Sequence, residues 1–114
     1  MTVRMGLIRK KADWTFEDFD AYWRGSHGAL ARRAPGLRAY WQNLVVDRLQ
    51  RGIDFARGPW DFDGFSQLSF DDAKQSSHAF NDSGLAADLI KDEQHFLGDL
   101  HIVTAEPSVV IPVP

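Results

Sequence analysis

Leu37-Arg38-Ala39-Tyr40-Trp41-Gln42-Asn43-Leu44-Val45-Val46-Asp47 decides the fold. The run is aromatic and β-branched, holds no Gly or Pro, and reads as a strand. Alternation puts Leu37, Ala39, Trp41, Asn43 and Val45 on one face. Arg38, Tyr40, Gln42, Leu44 and Val46 take the other. Both faces carry large apolar side chains. Helices cover only one side of a small sheet, so the other side needs a second cover. A second copy of the chain, packed sheet against sheet, supplies it; the expectation is an obligate homodimer.

Upstream, Thr2 to Lys10 alternates with period two and reads as a strand. Asp13 to Ala34 reads as a helix. Thr15-Phe16-Glu17-Asp18 offers a capping hydroxyl with a carboxylate three residues on. Phe16, Phe19, Trp23, His27 and Leu30 then recur at spacings of three and four, which places them on one face. Gly25 and Gly28 weaken this helix, and Pro35-Gly36 ends it. Downstream, Asp47 to Asp61 reads as a long loop of functional character. Phe62 to Phe70 is a third strand, and Asp71-Asp72 caps a helix reaching Phe80. Asn81-Asp82-Ser83-Gly84 interrupts it, a second helical stretch runs from Leu85 to Leu97, and Leu100 to Thr104 is the last strand. Ala105 to Pro114 holds three prolines and reads as a tail. The chain divides into one domain, residues 1–106, and a tail, 107–114. The order β-α-β-β-α-β is the ferredoxin-like arrangement, an α+β fold with a four-stranded antiparallel sheet and helices on one face.

Composition narrows the function. The 114 residues suffice for one core and not two. Thirteen Lys and Arg against sixteen Asp and Glu leave a net charge of −3, without the basic excess of a nucleic-acid binder. No cysteine is present, which excludes disulfides, thiolate metal ligands and a cysteine nucleophile. The longest uninterrupted apolar runs are three residues or so, such as Leu44-Val45-Val46, so the reading includes no membrane span. The alternating N-terminus lacks a signal-peptide core, and the expected location is the cytoplasm. His78, His95 and His101 show no metal-ligand spacing, and no glycine-rich phosphate loop occurs, so no cofactor is expected.

Several stretches share a pattern with a known family. Tyr22-Trp23-Arg24-Gly25-Ser26-His27-Gly28-Ala29-Leu30-Ala31 runs on to Pro35-Gly36-Leu37-Arg38-Ala39-Tyr40 and Gln42-Asn43. Later come Gly58-Pro59-Trp60-Asp61-Phe62-Asp63-Gly64-Phe65, then Leu68, Phe70-Asp71-Asp72 and Asp92-Glu93-Gln94-His95-Phe96-Leu97. In these, across roughly residues 2 to 105, the chain resembles the EthD family of dimeric α+β barrel proteins. The resemblance implies face-to-face dimers in which each subunit's sheet and helices enclose a pocket. The family's founder accompanies a cytochrome P450 system for ether degradation; similar proteins isomerise methyl-substituted muconolactones, and fungal relatives are linked to dehydration or decarboxylation of aromatic polyketides. The isomerase-type members use a His from the first helix, a Tyr from the second strand and, in some, a Cys. His27 and Tyr40 fall on the first two positions, and the third has no counterpart.

Each candidate has two readings. His27, on an apolar helix face, is either a hydrogen-bonded core histidine or a general acid–base, for which imidazole titrates in the right range. Tyr40, Gln42 and Arg38 share a strand face: they line the pocket, with Tyr40 donating to a ligand carbonyl, or they pack the sheet. Trp60, Phe62 and Phe65 form an aromatic wall for a ligand, or core and interface. Gln67 faces the pocket or water, and Trp23 is core or pocket lining. The functional expectation is cofactor-free acid–base chemistry by His27 and Tyr40 on a small aromatic, lactone or polyketide-like compound. Trp23, Arg38, Gln42, Trp60, Phe65 and Gln67 are the substrate-binding candidates. Alternatives are a non-catalytic accessory protein holding a hydrophobic ligand for an oxidoreductase, and a cofactor-independent monooxygenase.

Overall fold

The computed structural model describes residues 1–48 and 61–114. Strand β1 (Thr2–Lys10) leads to helix α1 (Phe16–Tyr22), one π turn (Trp23–His27) and the short helix α2 (Gly28–Ala31). Then follow β2 (Ala39–Leu44), β3 (Gly64–Phe70), α3 (Ala73–Asn81), α4 (Leu85–Phe96) and β4 (Leu97–Ala105). The sheet is antiparallel in the order β2-β3-β1-β4, the α+β ferredoxin-like arrangement. Residues 106–114 carry no regular element.

Local chemistry accounts for the boundaries. Thr15 caps α1 by accepting from the Asp18 amide at 3.1 Å, and Asp72 caps α3 by accepting from Gln75 at 2.8 Å. β2 is shorter than the expected 37–47, although amide bonds from Arg38 to Ser69 and from Val45 to Asp63 prolong its pairing with β3. The last strand begins at Leu97 rather than Leu100, without a loop after α4. Leu97 pairs with Lys10 across a register shift, an irregularity that alternation cannot reveal. The first helix also departs from expectation. Its π turn rotates the following residues, and Phe16, expected on the buried face, is 38% exposed.

Register decides which side chains meet. Tyr40 pairs with Leu68, and Gln42 with Ser66, so these face the helices together with Arg4, Gly6 and Ile8 of β1. Trp41 pairs with Gln67 and Asn43 with Phe65, so these occupy the opposite face. On the helix side the core forms two clusters. Phe70, Leu68, Phe80, Leu85 and Leu89 make one, and Ile8, Phe19, Trp23 and Phe96 the other. Among the described residues no helix is long and apolar enough to cross a membrane.

Candidate functional site

Between the two clusters lies a cavity of about 270 Å³. Its walls draw on both: Ile8 and Trp23 from one, Leu68, Phe80 and Leu89 from the other. Gly6, in the central strand, contributes no side chain to the floor, and the Ser66 hydroxyl lies beside it. Six polar side chains line the cavity: Arg4, His27, Tyr40, Ser66, Asn81 and Glu93.

His27 closes the π turn and is 9% exposed. Its Nδ1 lies 2.8 Å from Asp92 Oδ2 on α4. A carboxylate only accepts, so Nδ1 carries a proton, and in the neutral ring Nε2 is the nitrogen with the lone pair. Among the described residues Nε2 has no hydrogen-bond partner, and it is not sealed off from solvent. The other Asp92 oxygen accepts from the Tyr22 hydroxyl. That bond, reinforced by partial burial, pushes the Tyr22 phenol up to about 12, so it stays a donor. Asp92 is thereby clamped from two elements, and the His27 ring packs 5.1 Å from Phe96.

Tyr40 is oriented by its neighbours. Gln42 Nε2 donates to the Tyr40 oxygen at 2.9 Å and to the Trp23 carbonyl at 2.7 Å. The same carbonyl accepts the Gly28 amide across the π turn, which ties helix to strand. With its oxygen already accepting, Tyr40 has its own proton for a ligand. Burial raises its pKa, and the Gln42 bond offsets part of that. Glu93, also on α4, is pushed up to about 7 by burial, with Asp92 adding and Arg4 opposing.

The sequence candidates therefore separate. His27, Tyr40 and Trp23 line the cavity. Gln42 stands behind Tyr40 and faces a separate open groove against α2. Arg38, expected on the Tyr40 wall, is exposed and pairs with Asp71 at 2.8 Å, because it precedes the edge strand and swings out to solvent. Phe65 and Gln67, expected as ligand contacts, lie on the far side of the sheet, where Asn43 donates to Gln67 Oε1 at 3.0 Å. Odd and even positions of β3 cannot share a face. Trp60 and most of the 47–61 loop lie outside the described residues. Phe62 packs edge-on to His101 at 5.9 Å. Among the described residues no group of three or more His, Asp or Glu is gathered as a metal would require.

Sequence reasoning missed Asp92, Tyr22, Arg4, Ser66 and Glu93 as site residues. A signal existed for one. Asp92 falls seven residues after Leu85 and four before Phe96, on the buried side of α4, where a carboxylate requires a partner. His27 was the other titratable group on an apolar helix face.

Comparison with known proteins identifies the family and the fold. The EthD domain profile matches residues 11–99. No curated protein matches the chain by sequence. Among solved structures, an ethyl tert-butyl ether degradation (EthD) family protein of Bacillus halodurans aligns with TM-score 0.70 and 21% identity, covering 95% of this chain and all of that one. A hydroxynitrile lyase of Passiflora edulis aligns with TM-score 0.68 and 13% identity over 97% and 96% of the two chains. A dimeric ferredoxin-like protein of unknown function from Thermobifida fusca aligns with TM-score 0.61 and 16% identity over 91% and 88%. At these identities the likeness is one of fold.

Proposed function

The chain belongs to the EthD domain family, and from that premise we propose that its cavity binds a small aromatic, lactone or polyketide-like compound and catalyses cofactor-free proton transfer on it. The observation that carries this is the Tyr22–Asp92–His27 relay, which leaves Nε2 as a base at a cavity that Tyr40 also lines. Nε2 removes a proton from a carbon beside a carbonyl. The Tyr40 hydroxyl donates to the carbonyl oxygen as the electron pair moves onto it, forming an enolate-like species. Asp92 stabilises the imidazolium that results. The same proton returns to a different carbon in an isomerisation, or to a departing hydroxyl in a dehydration. In a decarboxylation no C–H bond is broken: the pair of the breaking C–CO2 bond forms the enolate, and protonated His27 gives its proton to the carbon that carbon dioxide has left. The working unit is a cytoplasmic homodimer, a reading supported by the uncovered sheet face and by the dimeric Thermobifida fusca structure.

The test is solvent deuterium exchange, followed by NMR, into a panel of enolisable lactones and aromatic β-keto compounds. Wild-type protein accelerates exchange in at least one member. His27→Asn lowers that rate by about 10²–10⁴, with thermal stability and assembly unchanged. Tyr40→Phe lowers it by about 10²–10³. Full activity in His27→Asn overturns the proton-transfer role. Tight binding without exchange in wild type replaces catalysis by an accessory role, the holding of a hydrophobic intermediate for an oxidoreductase.

A further inference from the structure

The proton-transfer chemistry leaves one cation of the cavity lining unused. Arg4, on the central strand β1, rises on the helix side with its guanidinium carbon 3.9 Å from the centre of the Phe80 ring. It is half-buried and lines the cavity. Among the described residues its guanidinium makes no hydrogen bond and no salt bridge. Glu93 lines the same cavity from α4 but stands beyond ion-pair distance, so the guanidinium donors remain unspent. An arginine remains charged at any ordinary pH; here the Phe80 ring and the more distant Glu93 offset that charge, and the guanidinium donors are open to the cavity rather than sealed in the core. A flat guanidinium, held on an aromatic ring and facing an apolar space, is built to receive a carboxylate through two parallel hydrogen bonds.

We propose that Arg4 anchors a carboxylate of the ligand, so that the substrates are aromatic or lactone acids whose reacting carbonyl meets His27 and Tyr40. The inference rests on reading the cavity as the active site and adds its substrate class. Glu93 gives it a pH signature. The charged and titratable groups around it are Arg4 from β1, His27 from the π turn, Tyr40 from β2 and Asp92 on its own helix. A ligand carboxylate arriving at Arg4 favours the neutral form of Glu93, so binding takes up a proton and weakens as the pH rises above about 7.

The experiment titrates isotope-labelled protein with phenylacetate, benzoate and 3-hydroxybenzoate, and with their three uncharged amides, following amide shifts by NMR. Acids bind at least about tenfold tighter than their amides, the worth of one charge-assisted pair. Arg4→Met, which keeps the length of the stem, abolishes the difference; Arg4→Gln serves the same purpose if the Met variant fails to fold. Arg4→Lys retains part of it. Glu93→Gln keeps the preference but removes proton uptake, measured by calorimetry in buffers of different ionisation enthalpy. Acids and amides that shift cavity residues equally, or a preference surviving Arg4→Met, overturn the anchor and leave the pocket standing. If no compound shifts residues around His27 and Tyr40, both the anchor and the pocket reading fall.

Discussion

Asp92 and Glu93 are neighbours on α4 with different surroundings, and the difference is chemical. Asp92 accepts two hydrogen bonds, from Tyr22 and His27. Glu93 has no such partners and meets an apolar wall, which favours its neutral form. An unfolded glutamate titrates near 4.5, whereas folded Glu93 titrates near 7. Between those values the folded chain keeps a proton that the unfolded chain has released. Stability therefore falls as pH rises through that window and stays lower above it. Urea denaturation at pH 5 and pH 8 checks this. Wild type loses on the order of 1 kcal/mol more than Glu93→Gln between the two, a figure reduced for the partial exposure of the side chain.

At the scale of elements, the first helix and the sheet meet through glycines. Gly64 opens β3 directly beneath the Trp23 indole. A Cβ there would lie 2.7 Å from the ring and 3.0 Å from the Asn43 carbonyl oxygen. The indole is 1% exposed and stacked on Phe19, so it has nowhere to retreat. Gly64→Ala is expected to destabilise by about 1–3 kcal/mol and to displace Trp23 into the cavity. Gly25, with nothing within 4 Å of such an atom, is the control. Gly25→Ala is expected to be neutral or stabilising by about 0.5–1 kcal/mol, since it removes only backbone freedom. Thermal melts of the two variants measure the contrast. The π turn was not legible in the sequence. Gly25 and Gly28 announced a weak helix, but the sharing of the Trp23 carbonyl between Gly28 and Gln42 depends on β2.

For the molecule as a whole, the face of the sheet away from the helices is the outstanding question. Trp41 is 58% exposed there and Val103 48%. A tryptophan so placed on a flat strand surface is expected at a contact between copies. If the proposed homodimer forms through this face, Trp41→Asp converts it to monomer in sedimentation velocity at micromolar concentration, with the secondary structure intact. A wild-type monomer at that concentration removes the dimer from the account. The interface implied exceeds about 1,500 Å² in total, the range of stable complexes. Val109, Val110, Ile111 and Val113 of the tail are also exposed, so a truncation after residue 106 is the useful companion to the Trp41 variant.

Period and punctuation were enough for the architecture. Alternation at Thr2–Lys10 and around Tyr40–Trp41, helical spacing from Phe19 to His27, and the caps at Thr15 and Asp72 are local properties that read directly as strands, helices and their order. Placing Tyr40 and Trp41 on opposite faces needed only the pleat, and so did separating Leu68 from Gln67. The site was another matter. His27 meets Asp92 across 65 residues, and Arg4 meets Phe80 across most of the chain. Which face of β2 turns inward depends on the register of β1 with β3, and a shift of one residue would have exchanged Tyr40 for Trp41. A strand carries its alternation in its own covalent geometry. The partner of a buried charge is chosen only when distant elements pack, because only then does the loss of water make that partner necessary.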